Sequence, residues 1–318
     1  CILHSEKAGK NEDAFEEALE EHRDQNGTDF RKIVFPEDVN MGETIFNKEV
    51  DFSGCTFISR AFFKGVIFKG KVYFERTNFK EAADFREVIF EGETSFRNCS
   101  FQSQATFRES VFRCDVFLAD ITFKSTVNFE DAIFREDAFL DEVTFSSRAS
   151  FENANFGGNV SFLNTDFETW VLFEKATFEN EANFQSTSFK ENLNFNDVTF
   201  RGIALFNSAT FEAVLSPFSF ADVTFKDRAD FSFADFKSEF YTENINFESK
   251  TLFTGSKFRH RVSFLHIVFA GTVSFEGAFF EDEVLFKETV FEKDSNFQYS
   301  TFKKQVSIRA SFQGKASF

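Results

Sequence analysis

The sequence has little of several residue types that globular proteins ordinarily use. Its 318 residues include 1 Met, 1 Trp, 2 Pro, 3 Tyr and 4 Cys. So few cysteines in a chain of this length do not make a disulfide framework, and no uninterrupted apolar run approaches the ~20 residues of a membrane-spanning helix. Basic residues are outnumbered by acidic ones, 35 against 52, for a net charge of −17. This balance argues against a general surface for nucleic acid or anionic membranes.

Phenylalanine supplies most of the large apolar side chains that are present. The chain contains 56 Phe. An irregular core needs side chains of varied shape to fill its gaps, so a core made of one ring indicates a regular, repeated environment. Disordered chains are poor in aromatic residues, which excludes disorder here.

The Phe residues recur at alternating steps of five and six residues. The steps run from Phe52 to Phe57, then to Phe63 and Phe68, and the alternation continues as far as Phe211. Neither an amphipathic helix nor an alternating strand has this period. The pattern predicts a chain that turns a corner after every step and points one large residue inward on each side.

Four such sides close a coil of about 22 residues, a period within the range of solenoid repeats. Equivalent positions of successive coils do match, and the departures from Phe are Leu118 and Leu140, which are adjacent in one column. The four columns are Phe57, Phe79, Phe101, Phe123, Phe145, Phe167, Phe189 and Phe211; Phe63, Phe85, Phe107, Phe129, Phe151, Phe173 and Phe195; Phe68, Phe90, Phe112, Phe134, Phe156, Phe178 and Phe200; and Phe52, Phe74, Phe96, Leu118, Leu140, Phe162, Phe184 and Phe206. Rungs stacked at the strand spacing of ~4.8 Å bring these rings into contact and leave backbone edges open at the two ends.

A small or β-branched residue precedes most of these Phe by two positions, and we expect it to point inward beside the ring. Cys55 and Cys99 occupy such positions two coils apart. At a separation of roughly 10 Å they cannot form a disulfide. We interpret both as buried, small apolar side chains.

This pattern resembles the pentapeptide-repeat family, whose unit is a small residue, a polar residue, a central Leu or Phe and two more polar residues. The resemblance covers residues 35–318 and implies an all-β fold, a right-handed quadrilateral β-helix, preceded by an N-terminal segment at residues 1–34. The chain departs from the family pattern in its nearly constant Phe and in the sixth residue of every second unit. We expect that extra residue to loosen or bulge alternate corners without changing the architecture.

Residues 11–26 predict an amphipathic helix. Phe15, Leu19 and His22 lie on one face, Asn11 is placed to cap the first turn, and Gly27 is placed to end the helix. We expect the helix to cover the open first coil and to block pairing at its edge. The alternative is a docking helix for a partner.

Cys1 and His4 form a C-x-x-H motif at the start of the chain. The motif resembles the closing half of a three-Cys, one-His zinc motif that precedes some bacterial pentapeptide-repeat proteins, with two cysteines further upstream. Tetrahedral zinc needs four ligands, so the resemblance implies zinc in a longer, intact protein and none in the chain as given. The alternatives are a chance match and a lipidated Cys1 at the start of a mature lipoprotein. Because the first residue is Cys rather than Met, we expect a longer or a processed protein.

The repeat is irregular in two places. Nine residues separate Phe211 from Phe220 where six are expected, so residues 212–219 contain an insertion of three. Loops that project from rigid scaffolds often carry contacts, which makes Leu215, Pro217 and Phe218 candidates for partner contact. A tolerated surface insertion is the alternative. In residues 240–242 the inward position is ambiguous.

Phe117 and Phe139 directly precede the two column leucines and lie one coil apart. If Leu118 and Leu140 point inward, the two rings point outward, one above the other, as a patch for a partner. In the alternative arrangement the two Phe turn inward and the leucines are displaced.

Nothing in the sequence indicates catalysis. His260 and His266 each follow a central Phe by two positions, so they fall on neighbouring faces and do not converge. Nucleophile-elbow, phosphate-loop and metalloprotease motifs are absent from the sequence, and a filled β-helix offers no cavity in which to perturb a pKa. We therefore predict a non-catalytic, cytoplasmic protein, lipid-anchored if Cys1 is a processed lipoprotein start.

Two functions fit this description. The first is a rigid scaffold for protein–protein interaction, with an unknown protein partner and a homodimer through the terminal coil as a further hypothesis. The second follows from the resemblance, because some pentapeptide-repeat proteins are acidic DNA mimics that bind DNA gyrase or topoisomerase IV. A mimic needs concentrated negative charge, whereas basic residues such as Lys64, Arg86 and Arg108 follow many of the central Phe. The sequence therefore favours the scaffold.

Overall fold

A computed structural model describes residues 2–5, 10–212 and 219–318. It divides into two compact units, Cys1–Arg148 and Ala149–Phe318, which are described separately below. A short 3-10 turn spans Ile2–His4, and the helix α1 spans Glu12–Asn26. No helix in the described ranges is long and apolar enough to cross a membrane.

The predicted helix at residues 11–26 is confirmed, and so is its place over the first coil. The Asn11 side chain accepts a hydrogen bond from the Ala14 N–H at 2.9 Å, which satisfies a free donor of the first turn. Gly27 follows the helix with a φ of 63°, the conformation that favours glycine at a helix end. Phe15 is buried, and its ring meets the first-coil Phe35 edge to face at 6.1 Å.

The first unit consists of four parallel sheets, numbered here in the order in which the chain meets them. Sheet 1 contains Val34–Phe35, Thr56–Phe57, Asn78–Phe79, Ser100–Phe101, Thr122–Phe123 and Thr144–Phe145. Sheet 2 contains Val39–Asn40, Ala61–Phe62, Ala83–Asp84, Ala105–Thr106 and Val127–Asn128. Sheet 3 contains Ile45–Phe46, Ile67–Phe68, Ile89–Phe90, Val111–Phe112 and Ile133–Phe134. Sheet 4 contains Val50–Asp51, Val72–Tyr73, Thr94–Ser95, Val116–Phe117 and Ala138–Phe139.

The second unit repeats this organisation, with longer strands toward its C-terminal end. One sheet contains Asp166–Phe167, Ser188–Phe189, Thr210–Phe211, Asp235–Phe236, Lys257–Phe258, Phe279–Phe280 and Thr301–Phe302. Another contains Val160–Ser161, Ala182–Asn183, Ala204–Leu205, Ala229–Asp230, Thr251–Leu252, Val273–Ser274, Ser295–Asn296 and Ala316–Ser317. Of the remaining strands, one side contains Ala149–Ser150, Val171–Leu172 and Leu193–Asn194, and the next contains Asn155–Phe156, Thr177–Phe178, Thr199–Phe200, Thr224–Phe225, Asn246–Phe247 and Val268–Phe269. The last group contains Phe220–Ala221, Phe240–Glu243, Val262–Leu265, Val284–Phe291 and Val306–Phe312. The last two strands of this group extend across both sides.

Strand pairing confirms the predicted length of the coil and the four-sided β-solenoid. Phe57 pairs with Phe79, for example, and Phe90 pairs with Phe112. Along a column the rings stack nearly parallel, with the centroids of Phe57 and Phe79 4.9 Å apart. Between columns they meet edge to face, as Phe74 does with Phe85 at 5.5 Å and 84°. Both arrangements are favourable for aromatic rings, so one residue type can supply nearly all of the large side chains of the interior.

The five- and six-residue steps cross different corners. A five-residue step such as Phe74 to Phe79 crosses a tight turn, in which the Thr77 N–H donates to the Phe74 carbonyl at 3.0 Å. In a six-residue corner such as that after Phe57, backbone groups bond to neighbouring coils instead; the Ala61 N–H donates to the Ala82 carbonyl at 2.9 Å. The sixth residue therefore opens alternate corners, as expected, and the architecture is kept.

The tight turns place one residue each in the left-handed region of φ, and few of these residues are glycine. Arg76, Glu87, Asn98 and Glu109 occupy equivalent positions of four successive tight turns, with φ between 57° and 60°. The left-handed conformation costs an L-residue other than glycine about 1 kcal/mol or more. The turns thus store strain that the stacked core holds in place.

Replacing such a residue by glycine is expected to stabilise the protein. For Glu142→Gly, at φ 56°, relief of strain exceeds the entropy that glycine adds to the unfolded chain, and the free energy of unfolding should rise by about 0.5–1 kcal/mol in urea titrations. The control is Glu81→Gly in a six-residue corner, which should lower that free energy by about 0.5–1 kcal/mol. Equal losses of unfolding free energy in Glu142→Gly and Glu81→Gly would contradict the assignment of strain to the tight turns.

The predicted three-residue insertion is confirmed by the strand register. Thr199 pairs with Thr224, which lies three positions further along the chain than a regular coil would place its partner. Most of the insertion lies outside the described residues, and the contact candidates Leu215, Pro217 and Phe218 lie there with it.

At residues 240–242 a small side chain takes the central inward position and a large one takes the position before it. Thr242 occupies the central inward position, in register with Phe220 and Phe264. Phe240 takes the preceding position, where most units have a small residue, and pairs with Val262. Both side chains are buried. The large ring and the small side chain have therefore traded places within one unit.

Candidate functional site

The inward cysteines are part of the core and not of a reactive site. Cys55 and Cys99 are buried, as predicted, and their thiols donate to the carbonyls of Phe30 and Phe74 at 2.9 and 2.8 Å. Burial raises the pKa of Cys55 to about 12 and raises that of Cys99 as well. A thiol with a raised pKa is a poor nucleophile and a poor metal ligand.

The histidines do not converge on one site. His260 and His266 are both exposed, and His266 lies 3.0 Å from Glu288 and 3.9 Å from Glu243. His4 is exposed in the first 3-10 turn, whereas its predicted partner Cys1 lies outside the described residues. Across the described part of the chain, no three His, Cys, Asp or Glu side chains are grouped so that they could hold a metal ion. Zinc in the intact protein stays a prediction.

The two outward rings on sheet 4 do form a stacked pair. Leu118 and Leu140 are fully buried, so the alternative with displaced leucines is wrong. Phe117 and Phe139 are partly exposed, and their centroids are 5.1 Å apart with the rings nearly parallel. The guanidinium of Arg97 lies 4.1 Å from the centroid of Phe117, a cation–π contact. The pair is thus an ordered apolar surface.

Sheet 3 carries a second apolar feature that the sequence analysis missed. The outward residues of its five strands are all Ile or Val, and they pair in register from one coil to the next. We call this row the aliphatic ladder; it consists of Ile45, Ile67, Ile89, Val111 and Ile133. Ile45 is 52% exposed and Ile133 38%. The coil spacing that defines the Phe columns, applied to the residue before each Phe, reveals the ladder in the sequence.

The fold does not require aliphatic residues at these outward positions. In the second unit, the corresponding strands begin with Asn155, Thr177 and Thr199, and they form the same paired, two-residue strands. β-Branched residues favour strands, but threonine has that property without the apolar surface. The ladder is therefore a property of the surface of the first unit.

A shallow groove lies between the ladder and the stacked pair, and its lining residues belong to neither. It lies at the corner between sheets 3 and 4, has a volume of about 590 Å³, and is lined in part by Gly70, Gly92, Arg113 and Asp115. A Cβ atom on Gly70 or Gly92 would come within 2.5–2.6 Å of backbone atoms of the neighbouring coil. Glycine at these two positions therefore lets neighbouring coils approach closely, and no side chain projects from the corner there.

Comparison with known proteins agrees with the repeat seen in the columns. A family model described as pentapeptide repeats (9 copies) matches residues 30–78, 74–122, 129–176, 169–210, 253–301 and 264–311. No curated protein matches the chain. The matched residues make up well over half of the 318 residues, and they coincide with the stacked coils of both units. The chain belongs to the pentapeptide-repeat family.

Proposed function

We propose that the chain is a non-catalytic scaffold that holds a partner protein on sheets 3 and 4 of its first unit. The observation that carries the proposal is the aliphatic ladder, whose end rungs are exposed and whose three central rungs are partly exposed, because a row of apolar side chains that the fold does not need requires another explanation. Contiguous exposed apolar surface with a polar rim is typical of protein-binding sites.

The ladder by itself is too small to form a stable interface. Its five rungs at ~4.8 Å span about 19 Å in length and one side chain in width, whereas a stable interface buries ~800 Å² on each partner. A partner that continues around the corner reaches the groove and then Phe117 and Phe139, which lie on the same two coils as Val111 and Ile133. A single partner covering both faces would bury enough apolar surface.

The rim of this surface carries charges of both signs. Arg113 pairs with Glu91 of the neighbouring coil at 2.9 Å, and Lys71 pairs with Glu93 at 3.2 Å. Such exposed pairs contribute little to stability, but they give the apolar centre a polar border that suits a partner with mixed charges.

The alternative, an acidic DNA mimic that binds DNA gyrase or topoisomerase IV, is supported by the net charge of −17. The distribution of charge supports it less, since pairs such as Arg201–Glu179 and Arg259–Asp235 also neutralise carboxylates in the second unit. A supercoiling assay with gyrase separates the two functions. The scaffold predicts no inhibition at a large excess of the protein, whereas inhibition at sub-micromolar concentration would establish the mimic.

Charged substitutions in the ladder are expected to abolish binding of the partner. The variant Ile67→Glu/Ile89→Glu places two carboxylates in the centre of the apolar row, and the affinity should fall by about 30-fold or more, as for the loss of a central hot spot. Binding is measured by recovering the partner on immobilised protein and then titrating the purified partner by calorimetry.

The matched control is Thr177→Glu/Thr199→Glu, which adds the same charges at corresponding outward positions of the second unit. Both variants place two carboxylates on directly paired, partly buried positions, so both should lower the thermal unfolding midpoint by a similar small amount. A partner that is retained by the control and lost by the ladder variant supports the proposal. Equal retention by both variants would refute it.

A further inference from the structure

A cavity lies between α1 and the first coil, at the opposite end of the first unit from the stacked pair. Its volume is about 150 Å³. Its apolar wall is formed by Phe15, Leu19, Phe35, Pro36 and Met41. Among the described side chains of α1, Phe15 and Leu19 are the large apolar ones buried at the coil, and the helix and the coil do not close completely around them.

Carboxylates surround the mouth of this cavity. Glu16 on α1 and Glu37 and Asp38 on the first coil line it, and all three are exposed. Asp38 is paired with Arg60, whose Nε lies 3.1 Å from Asp38 Oδ2. Glu16 and Glu37 therefore contribute the negative charge that a ligand would meet.

The chain itself already places an ammonium group against this junction. The Lys10 Nζ lies 4.9 Å from the centroid of the Phe15 ring and donates to the Val34 carbonyl at 2.7 Å. The face of an aromatic ring and a carbonyl oxygen are groups that attract an organic cation. The local chemistry thus suits positive charge beside apolar surface.

We propose that this cavity binds a small organic cation, with its apolar body against Leu19 and Met41 and its ammonium or guanidinium group at Glu16 and Glu37. The volume fits a body of one six-membered ring, because an engineered apolar cavity of about 150 Å³ in another protein binds benzene. The cation comes either from a free amine or from a Lys or Arg side chain of a bound protein. This site is separate from the ladder and does not depend on the proposed function.

Three probes separate the contribution of the ring to binding from the contribution of the charge. Benzylammonium has both the ring and the charge, benzyl alcohol has the ring alone, and methylammonium has the charge alone. By calorimetry or ligand-observed NMR, benzylammonium should bind with a Kd of about 1 mM. Benzyl alcohol should bind roughly five- to ten-fold more weakly, and methylammonium not measurably. Added salt should weaken the binding of benzylammonium and leave that of benzyl alcohol unchanged.

Variants locate the binding. Leu19→Trp fills the cavity and should abolish binding of benzylammonium. The pair Glu16→Gln/Glu37→Gln keeps the shape and should reduce the difference between benzylammonium and benzyl alcohol to less than about two-fold. The control is Glu17→Gln, since Glu17 is exposed and lies on the opposite side of α1 from the cavity-lining Phe15 and Leu19. An unchanged unfolding midpoint shows that each variant is folded.

A capped tripeptide with arginine between two leucines distinguishes the two sources of the cation. Tighter binding of the peptide assigns the site to a protein side chain, and tighter binding of benzylammonium assigns it to a free amine. The proposal is overturned if neither probe binds, if benzyl alcohol binds as well as benzylammonium, or if the Glu16→Gln/Glu37→Gln pair behaves like the control.

Discussion

Replacing Phe85 by alanine is expected to lower the free energy of unfolding by about 4 kcal/mol. Phe85 is fully buried, stacks with Phe63 and Phe107 at 4.9 Å, and meets Phe74 and Phe96 edge to face at 5.5 and 5.4 Å. Loss of a buried Phe leaves a cavity that costs about 3–5 kcal/mol, and the broken aromatic pairs add to it. Rigid rungs above and below prevent the site from collapsing.

Phe85→Leu is the control for size and apolar character. Leu118 and Leu140 occupy the same kind of position in their own column, so the substitution should cost only about 1–1.5 kcal/mol. Urea titration followed by circular dichroism gives both values. Hydrogen exchange should show faster exchange in the strand Ala83–Asp84 of the alanine variant, because each coil depends on its neighbours. A loss below about 1.5 kcal/mol for Phe85→Ala would show that the stacked column is not the main source of stability.

Substitutions of Phe240 and Thr242 are expected to change the free energy of unfolding non-additively. The Phe240 ring lies 4.5 Å from Phe236 and 6.1 Å from Phe264, and it fills the space beside Thr242. Phe240→Thr should therefore cost about 4 kcal/mol. Thr242→Phe alone adds a ring to a filled site and should cost about 1–3 kcal/mol.

The double variant Phe240→Thr/Thr242→Phe restores the common order of the repeat. We expect its free energy of unfolding to lie within about 1.5 kcal/mol of the parent, so that the two changes couple by at least about 3.5 kcal/mol. The hydrogen bond from the Thr242 hydroxyl to the Ser263 carbonyl, 3.1 Å long, is the part that the exchange does not recover. A double variant as unstable as the sum of the two single changes would contradict the exchange.

Most of the fold is predictable because one physical requirement repeats along the chain. Each coil must present the same ring at the same height, so equivalent positions of successive coils carry the same side chain and the columns appear directly in the sequence. The cap on the first coil follows from equally local signals, namely Asn11, Gly27 and the apolar face that contains Phe15. The register of the insertion, seen in the pairing of Thr199 with Thr224, follows from counting.

The remaining features depend on context that a column of identical residues does not reveal. Which of Phe240 and Thr242 takes the central inward position depends on the space that neighbouring rings leave. The strained turns are hidden because residues such as Glu142 and Arg76 are not typical of positive φ. The cavity at α1 depends on the distance between helix and coil. The ladder was missed for a different reason, since it lies in the outward residue before each Phe, which the packing of the core does not constrain.

Site-specific photocrosslinking tests most directly whether the aliphatic ladder binds a partner. A photoreactive amino acid is placed at Ile89, in the centre of the ladder, and in a second protein at Thr199, its counterpart in the second unit. Irradiation in extracts of the source cells should give one discrete adduct from position 89, of a mass that differs from twice that of this chain, and none from position 199. No adduct at position 89, the same adducts at both positions, or an adduct with a second copy of the chain would contradict the proposed scaffold.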